Sequence, residues 1–414
     1  MKRRKFIKSS LAVSSMLPVV GTELDQLTRE KQLNQLKMNA KPLAITMWDF
    51  SWLERRWPGA GYEDWDLVLD ELTERGYNAI RLDVYPHLIA NDPGKEYTLL
   101  PVWDQQIWGS PDITRVIVQP NLNTFISKCK DRGIKLGLSS WFREDSSNLR
   151  MKITSARKMA DIWIKTLDSI EKDDLLDSVL YVDLCNEWPG DLWAPYFTND
   201  PLEHTWTYWH TEKSMKYMKE SIELVRKAYP ELQYCYSFTM GQPALYADKD
   251  LSFFDLMEHH TWMASLNSNE YYKEVGYSDG QFNPQAYKNL VANYIKVYNK
   301  RPNYWREGLL EEIDIVASSC KKANLPLITT ECWAIVDFKD WPLLSWDLVK
   351  DLCDLGTRTA AATGQWIAIA TSNFCGPQFA GMWRDIEYHQ RLTDIIKNSS
   401  INADLASRPI MKRL

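Results

Sequence analysis

Two acidic residues stand at matching places in this sequence. The run Val179-Leu180-Tyr181-Val182-Asp183-Leu184-Cys185-Asn186-Glu187-Trp188 is an apolar strand pattern ending in a carboxyl group and a tryptophan. Pro326-Leu327-Ile328-Thr329-Thr330-Glu331-Cys332-Trp333 repeats that design. Either Glu alone suits a structural ion pair as well as chemistry. A pair at the ends of two facing strands is more specific. One carboxyl can protonate a leaving oxygen while the other attacks carbon from the opposite side. That is the arrangement of retaining glycoside hydrolysis, with the two groups about 5–5.5 Å apart. Burial and neighbouring charges must then split the two pKa values, so that one group is protonated while the other is charged.

Such a pair needs a rigid frame. From Pro42 onward, short apolar runs alternate with segments of helical period. The predicted strands are Leu43–Met47, Ala79–Asp83, Lys135–Ser140, Val179–Leu184, Tyr234–Phe238, Phe254–Glu258, Leu327–Thr330 and Gln365–Ala370. The predicted helices include Asp64–Arg75, Leu122–Arg132, Ser155–Lys172, Glu212–Tyr229, Glu311–Ala323, Ser345–Thr363 and Ile386–Lys397. This alternation predicts an α/β fold, a (β/α)8 TIM barrel with long βα-loop insertions. An open doubly wound sheet would usually offer a Gly-rich first turn for a nucleotide, and none is present. The fourth and seventh strands of such a ring end across the mouth from each other. The insertions are residues 84–118, 188–211 and 259–310. The last should hold a helix capped by Asn283 and started by Pro284, with Leu290, Val291, Tyr294, Ile295 and Tyr298 on one face.

The 414 residues include 19 Trp, an unusual number. Trp48, Trp52, Trp57, Trp103, Trp108, Trp141, Trp188, Trp193, Trp206, Trp209, Trp262, Trp305, Trp333 and Trp341 all follow predicted strands, so they fall at the end of the barrel where the two Glu stand. Indole planes there suit the C–H-rich face of a sugar ring, and the N–H can still donate a hydrogen bond. The alternative is that they pin long loops to the barrel.

Composition is that of a globular chain, 45% hydrophobic with a net charge of -6, which gives no electrostatic footprint for nucleic acid. The seven Cys show no metal or disulfide spacing and read as small buried hydrophobes. The start Met1-Lys2-Arg3-Arg4-Lys5-Phe6-Ile7-Lys8, followed by Leu11 to Val20, reads as an export signal. It resembles the twin-arginine motif. The expected organisation is a signal over 1–21, a polar leader over 22–41, the catalytic barrel over 42–400 and a C-terminal tail over 401–414. The expected location is periplasmic or extracellular, with no stable membrane insertion once the signal is removed.

From about Pro42 to Gly376 the chain resembles the clan A glycoside hydrolases, especially glycoside hydrolase family 5 (the cellulase family) and its cellulase-like relatives. The resemblance rests on Asn78-Ala79-Ile80-Arg81-Leu82-Asp83-Val84-Tyr85, Leu184-Cys185-Asn186-Glu187-Trp188-Pro189, His259-His260-Thr261-Trp262 and Thr329-Thr330-Glu331-Cys332-Trp333. It implies Glu187 as acid/base, Glu331 as nucleophile, Asn186 at the sugar 2-hydroxyl and Arg81 as support for the nucleophile. The substrate would be a polysaccharide or oligosaccharide, bound also by His260, Trp48, Trp141, Trp188, Trp262 and Trp333. No cofactor and no metal are expected. The chain departs from family 5 where Trp262 replaces a Tyr that bonds the nucleophile, where Trp141 replaces a His, and where Ala370-Thr371-Ser372-Asn373-Phe374 lacks a Trp. These departures leave a carbohydrate-binding protein on an enzyme scaffold as the rival reading. Asp49 and Asp83 could bind sugar hydroxyls, cap turns or pair with Arg81.

Overall fold

The computed structural model describes residues 40–102, 110–190, 208–239, 242–277 and 283–414. Eight parallel strands form a barrel: β1 (Leu43–Asp49), β2 (Ala79–Asp83), β3 (Lys135–Ser139), β4 (Val179–Asp183), β5 (Tyr234–Cys235 continued by Ser237–Thr239), β6 (Met257–Trp262), β7 (Leu327–Thr329 continued by Cys332–Trp333) and β8 (Trp366–Ala370). Leu43 pairs with Ala368, joining β1 to β8. The two halves of β5 close the ring, since Val182 pairs with Tyr234 on one side and Ser237 with Glu258 on the other. The strands are buried on both faces, as their near-continuous apolar runs require.

Around the barrel lie α1 (Trp65–Glu74), α2 (Asn121–Asp131), α3 (Ala156–Glu171), α4 (Glu212–Ala228), α5 (Pro284–Lys300), α6 (Pro302–Lys322), α7 (Asp347–Thr363) and α8 (Ile386–Asn398). Their starts follow capping chemistry. Asp64, Ser155, Thr211 and Asp385 each accept a backbone N–H from the first turn. Asn283 caps α5 with Pro284 as its first residue, as predicted. The buried face of α5 differs from the expected one: Tyr287, Leu290, Tyr294, Val297 and Tyr298 face inward, while Ile295 is exposed. Helix α6 starts nine residues before the predicted Glu311, at Pro302, whose fixed φ suits a first helical position.

The sixth strand lies later in the chain than predicted. Phe253 and Phe254 pack on each other at 4.5 Å in the turn before it. The Asp255 carboxylate accepts from the Tyr234 N–H at 2.8 Å and from Arg226 at 2.9 Å. Pairing begins at Met257, so His259 and His260 lie inside β6 rather than after it, and Glu258 lies near its start rather than at its end.

Two packing devices hold the ends of the barrel. At the mouth, Arg143 donates to both oxygens of the buried Glu54 at 2.8 and 2.9 Å, and Thr114 donates to the same carboxylate at 3.1 Å. This fastens the antiparallel hairpin Glu96–Leu99/Thr114–Ile117 of the β2 insertion to the loops after β1 and β3. At the other end, the segment expected as a tail forms two 3-10 turns, Ala403–Ser407 and Pro409–Lys412. Ile410 is buried there, and Arg413 donates to the Val179 carbonyl at 2.6 Å. All seven Cys are buried and free. Among the described residues no helix is long and apolar enough to cross a membrane.

Candidate active site

The site is built upward from Arg81. It lies in β2, whose inward residues meet those of the neighbouring strands at the barrel axis, and it is fully buried. Asp49, at the end of β1, accepts from its Nε at 3.1 Å and from its Nη2 at 2.7 Å. Nη1 donates to Asn186 Oδ1 at 2.5 Å and lies 3.5 Å from Glu258 Oε1. Nη2 also donates to Glu331 Oε1. Burial opposes the Arg81 charge, but Asp49, Glu331 and Glu258 outweigh it and hold its pKa well above the usual value.

Glu331 sits where β7 is interrupted, between Thr329 and Cys332. Asn186 Nδ2 donates to it at 3.3 Å. Glu187 follows in the turn after β4, with φ +50, a left-handed conformation rare outside glycine. Ser237 of β5 fixes that turn: its hydroxyl accepts the Glu187 N–H at 2.9 Å and donates to Asn186 Oδ1 at 3.1 Å. His260 Nδ1 donates to Glu187 Oε1 at 2.8 Å. An oxygen of Glu187, an oxygen of Glu331 and a nitrogen of His260 all lie within 4.8 Å of one another. The two carboxyl groups therefore meet over one small space. Burial raises the Glu187 pKa; the His260 hydrogen bond opposes this, and the Glu331 charge adds to it.

Two carboxylates and an imidazole could hold a cation elsewhere. Here the Arg81 guanidinium is already bonded to Glu331, and its Nη1 lies 3.1 Å from His260 Nε2. A divalent ion would stand against a fixed positive charge in a low-dielectric interior. The donor set suits proton transfer and nucleophilic attack rather than a metal.

The structure brings Arg81, Asn186, Glu187, His260, Trp141 and Glu331 together. Trp141 is held there by its Nε1, which donates to Asp49 Oδ2 at 2.9 Å. Trp262 is also beside the pair, its ring centroid 5.7 Å from that of His260. Trp48, Trp188 and Trp333 are buried against neighbouring elements. Trp48 donates to the Cys375 carbonyl and packs against Tyr62. Trp188 stacks on Tyr217 at 4.7 Å and donates to Ser214 in α4. Trp333 donates to the Ala370 carbonyl and lies against Gly356 of α7. For these three the loop-pinning alternative describes the placement. Trp52, Trp209 and Trp305 are buried likewise, whereas Trp57 and Trp341 remain exposed. Trp103, Trp108, Trp193 and Trp206 lie outside the described residues.

Asp49 pairs with Arg81. Asp83 instead accepts the Tyr85 and Trp141 N–H groups at 2.8 and 2.7 Å and so shapes the turns. Sequence reasoning missed Ser237, Thr239 and Asn373, and gave Glu258 no role in the site. Thr239 Oγ1, Trp262 Nε1 and Asn373 Oδ1 are buried side-chain atoms without a hydrogen-bond partner. They lie at the ends of β5 and β6 and just after β8. Buried polar groups are ordinarily paired, so unpaired ones beside a cleft suit hydroxyl groups of a ligand or ordered water.

Arg81 is therefore also a keystone of stability. Arg81→Met should lower unfolding stability by about 3–5 kcal/mol near neutral pH, because Asp49, Glu258 and Glu331 are left buried without their cation. Loss of that cation raises the folded-state pKa of Asp49 and Glu258, which Arg81 acts to lower. Acids with raised folded pKa values are least destabilising when protonated, so the gap to wild type should narrow as pH falls. Urea unfolding at several pH values measures it; an unchanged midpoint would contradict the keystone role.

A sequence profile of a cellulase-like family, described as sugar-binding cellulase-like, matches residues 45–397. A crystal structure of a candidate glycoside hydrolase from Parabacteroides distasonis is 57% identical, covers 91% of this chain and 100% of its own, and superposes with a TM-score of 0.88. A beta-glycosidase structure is 10% identical over 87% of this chain and 96% of its own, with a TM-score of 0.48. A hyperthermophilic endo-beta-1,4-glucanase in complex with substrate is 11% identical over 84% of this chain and 93% of its own, with a TM-score of 0.47. No curated protein matches the chain.

Proposed function

The chain belongs to the sugar-binding cellulase-like family, and on that footing we propose that it is a retaining β-glycoside hydrolase acting on a polysaccharide or oligosaccharide. The observation that carries this reading is the approach of Glu187 and Glu331 to within 4.8 Å, in keeping with the separation of about 5–5.5 Å typical of retaining pairs. Glu187, its pKa raised by burial, gives its proton to the glycosidic oxygen as the C–O bond breaks. Glu331, charged and oriented by Arg81 and Asn186, forms a bond to the anomeric carbon. Glu187, now a carboxylate, takes a proton from water, which displaces Glu331 and restores both groups. The reaction draws on no cofactor.

The test is turnover of aryl β-glycosides and plant or microbial glycans, with the anomeric form of the first product read by NMR. A β-product appearing first supports retention; an α-product refutes it. Glycan binding without turnover on any substrate would favour the binding-protein reading.

We also propose that residues 1–21 direct export to the periplasm or beyond. The basic start and the apolar run Leu11 to Val20 support this; residues 1–39 lie outside the described residues. Deleting 1–21 should leave the protein in the cytoplasmic fraction, and unchanged fractionation would refute the assignment.

A further inference from the structure

Directly beneath the catalytic pair lies a third carboxylate that the reaction above does not use. Glu258 is fully buried. Tyr181 donates to its Oε2 at 2.9 Å, and Thr330, in the break of β7, donates to Oε1. Arg81 Nη1 lies 3.5 Å from Oε1, and His260 Nε2 lies 3.4 Å from it. Burying an acid costs stability unless its charge is matched.

The His260 ring connects this acid to the acid/base. Nδ1 faces Glu187 Oε1 at 2.8 Å, while Nε2 stands between Glu258 Oε1 at 3.4 Å and Arg81 Nη1 at 3.1 Å. Those two neighbours make opposite demands. Next to Glu258, Nε2 should carry a proton; next to Arg81, it should accept one. The charge balance decides. Asp49, Glu258 and Glu331 surround a single guanidinium, so the charged ring supplies a missing cation. Removing the Glu258 charge tips Nε2 toward accepting from Arg81, and the ring becomes neutral.

We propose that Glu258 is a positioning residue that keeps His260 an imidazolium directed at Glu187 and so sets the protonation of the acid/base; this rests on the glycosidase reading. The functional gain lies in the second half of the reaction, where Glu187 must act as a carboxylate in a site that burial biases toward the neutral acid. Consistent with this, burial opposes the His260 charge but Glu331, Glu187 and Glu258 outweigh it, pushing its pKa up to about 10. Burial likewise opposes ionisation of Glu258, yet His260 and Arg81 hold its pKa below the usual value. The other groups facing this pair are Asp49 from β1, Tyr181 and Asp183 from β4, and Cys235 from β5. Asp183 is raised to about 7 by burial and by Glu258 itself.

The experiment is imidazole nitrogen NMR of the full-length protein on the alkaline side of neutrality, with His260 assigned by His260→Asn. In wild type both ring nitrogens should be protonated; in Glu258→Gln only one. The basic limb of kcat/KM on an aryl β-glycoside should move up by about one pH unit in Glu258→Gln, because Glu187 loses its cationic neighbour. A neutral ring in wild type, or a ring still charged in Glu258→Gln, overturns the proposal. If Glu258→Gln fails to fold, Thr330→Val, which keeps the Glu258 charge but removes a donor that competes with the ring for Oε1, should shift the His260 titration upward, and a downward shift or none counts against the proposal. The ring titration needs no turnover, so absence of hydrolysis would count against the glycosidase reading alone.

Discussion

Glu331→Ala should reduce turnover of β-glycosides by at least about 10⁴-fold, the scale seen when the attacking group of a catalytic unit is removed. Substrate binding should be nearly kept, because Glu331 is held from below by Arg81 and Asn186 rather than forming a wall of the cleft. The space it vacates faces the anomeric carbon. Azide, a small anion, can enter there and attack in place of the carboxylate. It should restore part of the turnover and yield a glycosyl azide of inverted configuration. Inversion follows because only one displacement then occurs, from the side opposite the leaving group. Product stereochemistry is read by NMR. Hydrolysis at the wild-type rate would remove Glu331 from the mechanism. A retained-configuration azide product would assign its position to the other carboxyl.

The barrel strands were legible because each is buried on both faces and is therefore a short apolar run between helical segments. The facing carboxyls of Glu187 and Glu331 were legible for the same reason, since a charged residue soon after such a run has only the mouth to occupy. Phe254–Glu258 was misread because burial of Phe253 and Phe254 in a turn looks the same, in sequence, as burial in a strand. That error separated Glu258, the last residue of the expected strand, from His260: with Met257–Trp262 as the strand, the two stand two apart and share an inward face. The tryptophans show the opposite limit. Trp52, Trp141 and Trp188 follow strands as expected, whereas Trp48, Trp262 and Trp333 lie in the last residues of strands and Trp305 lies in α6, and the direction of the rings was not legible. Trp188 follows the left-handed Glu187, and its ring lies on α4. Trp333 turns to α7, where Gly356 leaves room for it; a Cβ there would lie 2.5 Å from the Trp333 ring. A glycine within a helix opposite a strand end was the available signal. Nothing in the sequence marks Ser237, because a small hydroxyl residue in a strand is ordinary until its neighbours are known.

Glu187→Ala should divide substrates by their leaving groups. For natural glycans, whose alkoxide leaves poorly, losing the proton donor should cost about 10²–10⁴-fold in kcat/KM. For an aryl glycoside with a strongly acidic phenol, the first step needs no proton and should be almost unaffected. The second step then limits the rate, because water lacks its base, and the glycosyl-enzyme on Glu331 should accumulate as a burst of phenol. Azide needs no base, so it should speed this step and give a product of retained configuration, the mirror of the outcome with Glu331→Ala. Wild-type activity should also persist to higher pH than an ordinary carboxyl group allows, since burial raises the Glu187 pKa and the protonated form is the one required. The same shift carries a stability cost. An acid whose folded pKa lies above its unfolded one contributes stability below the unfolded value and loses it as pH rises through the folded one. Glu187→Gln, which cannot ionise, should therefore gain on wild type in unfolding midpoint as pH rises through that window. An equal loss on all substrates, without a burst, would reduce Glu187 to a structural partner of His260.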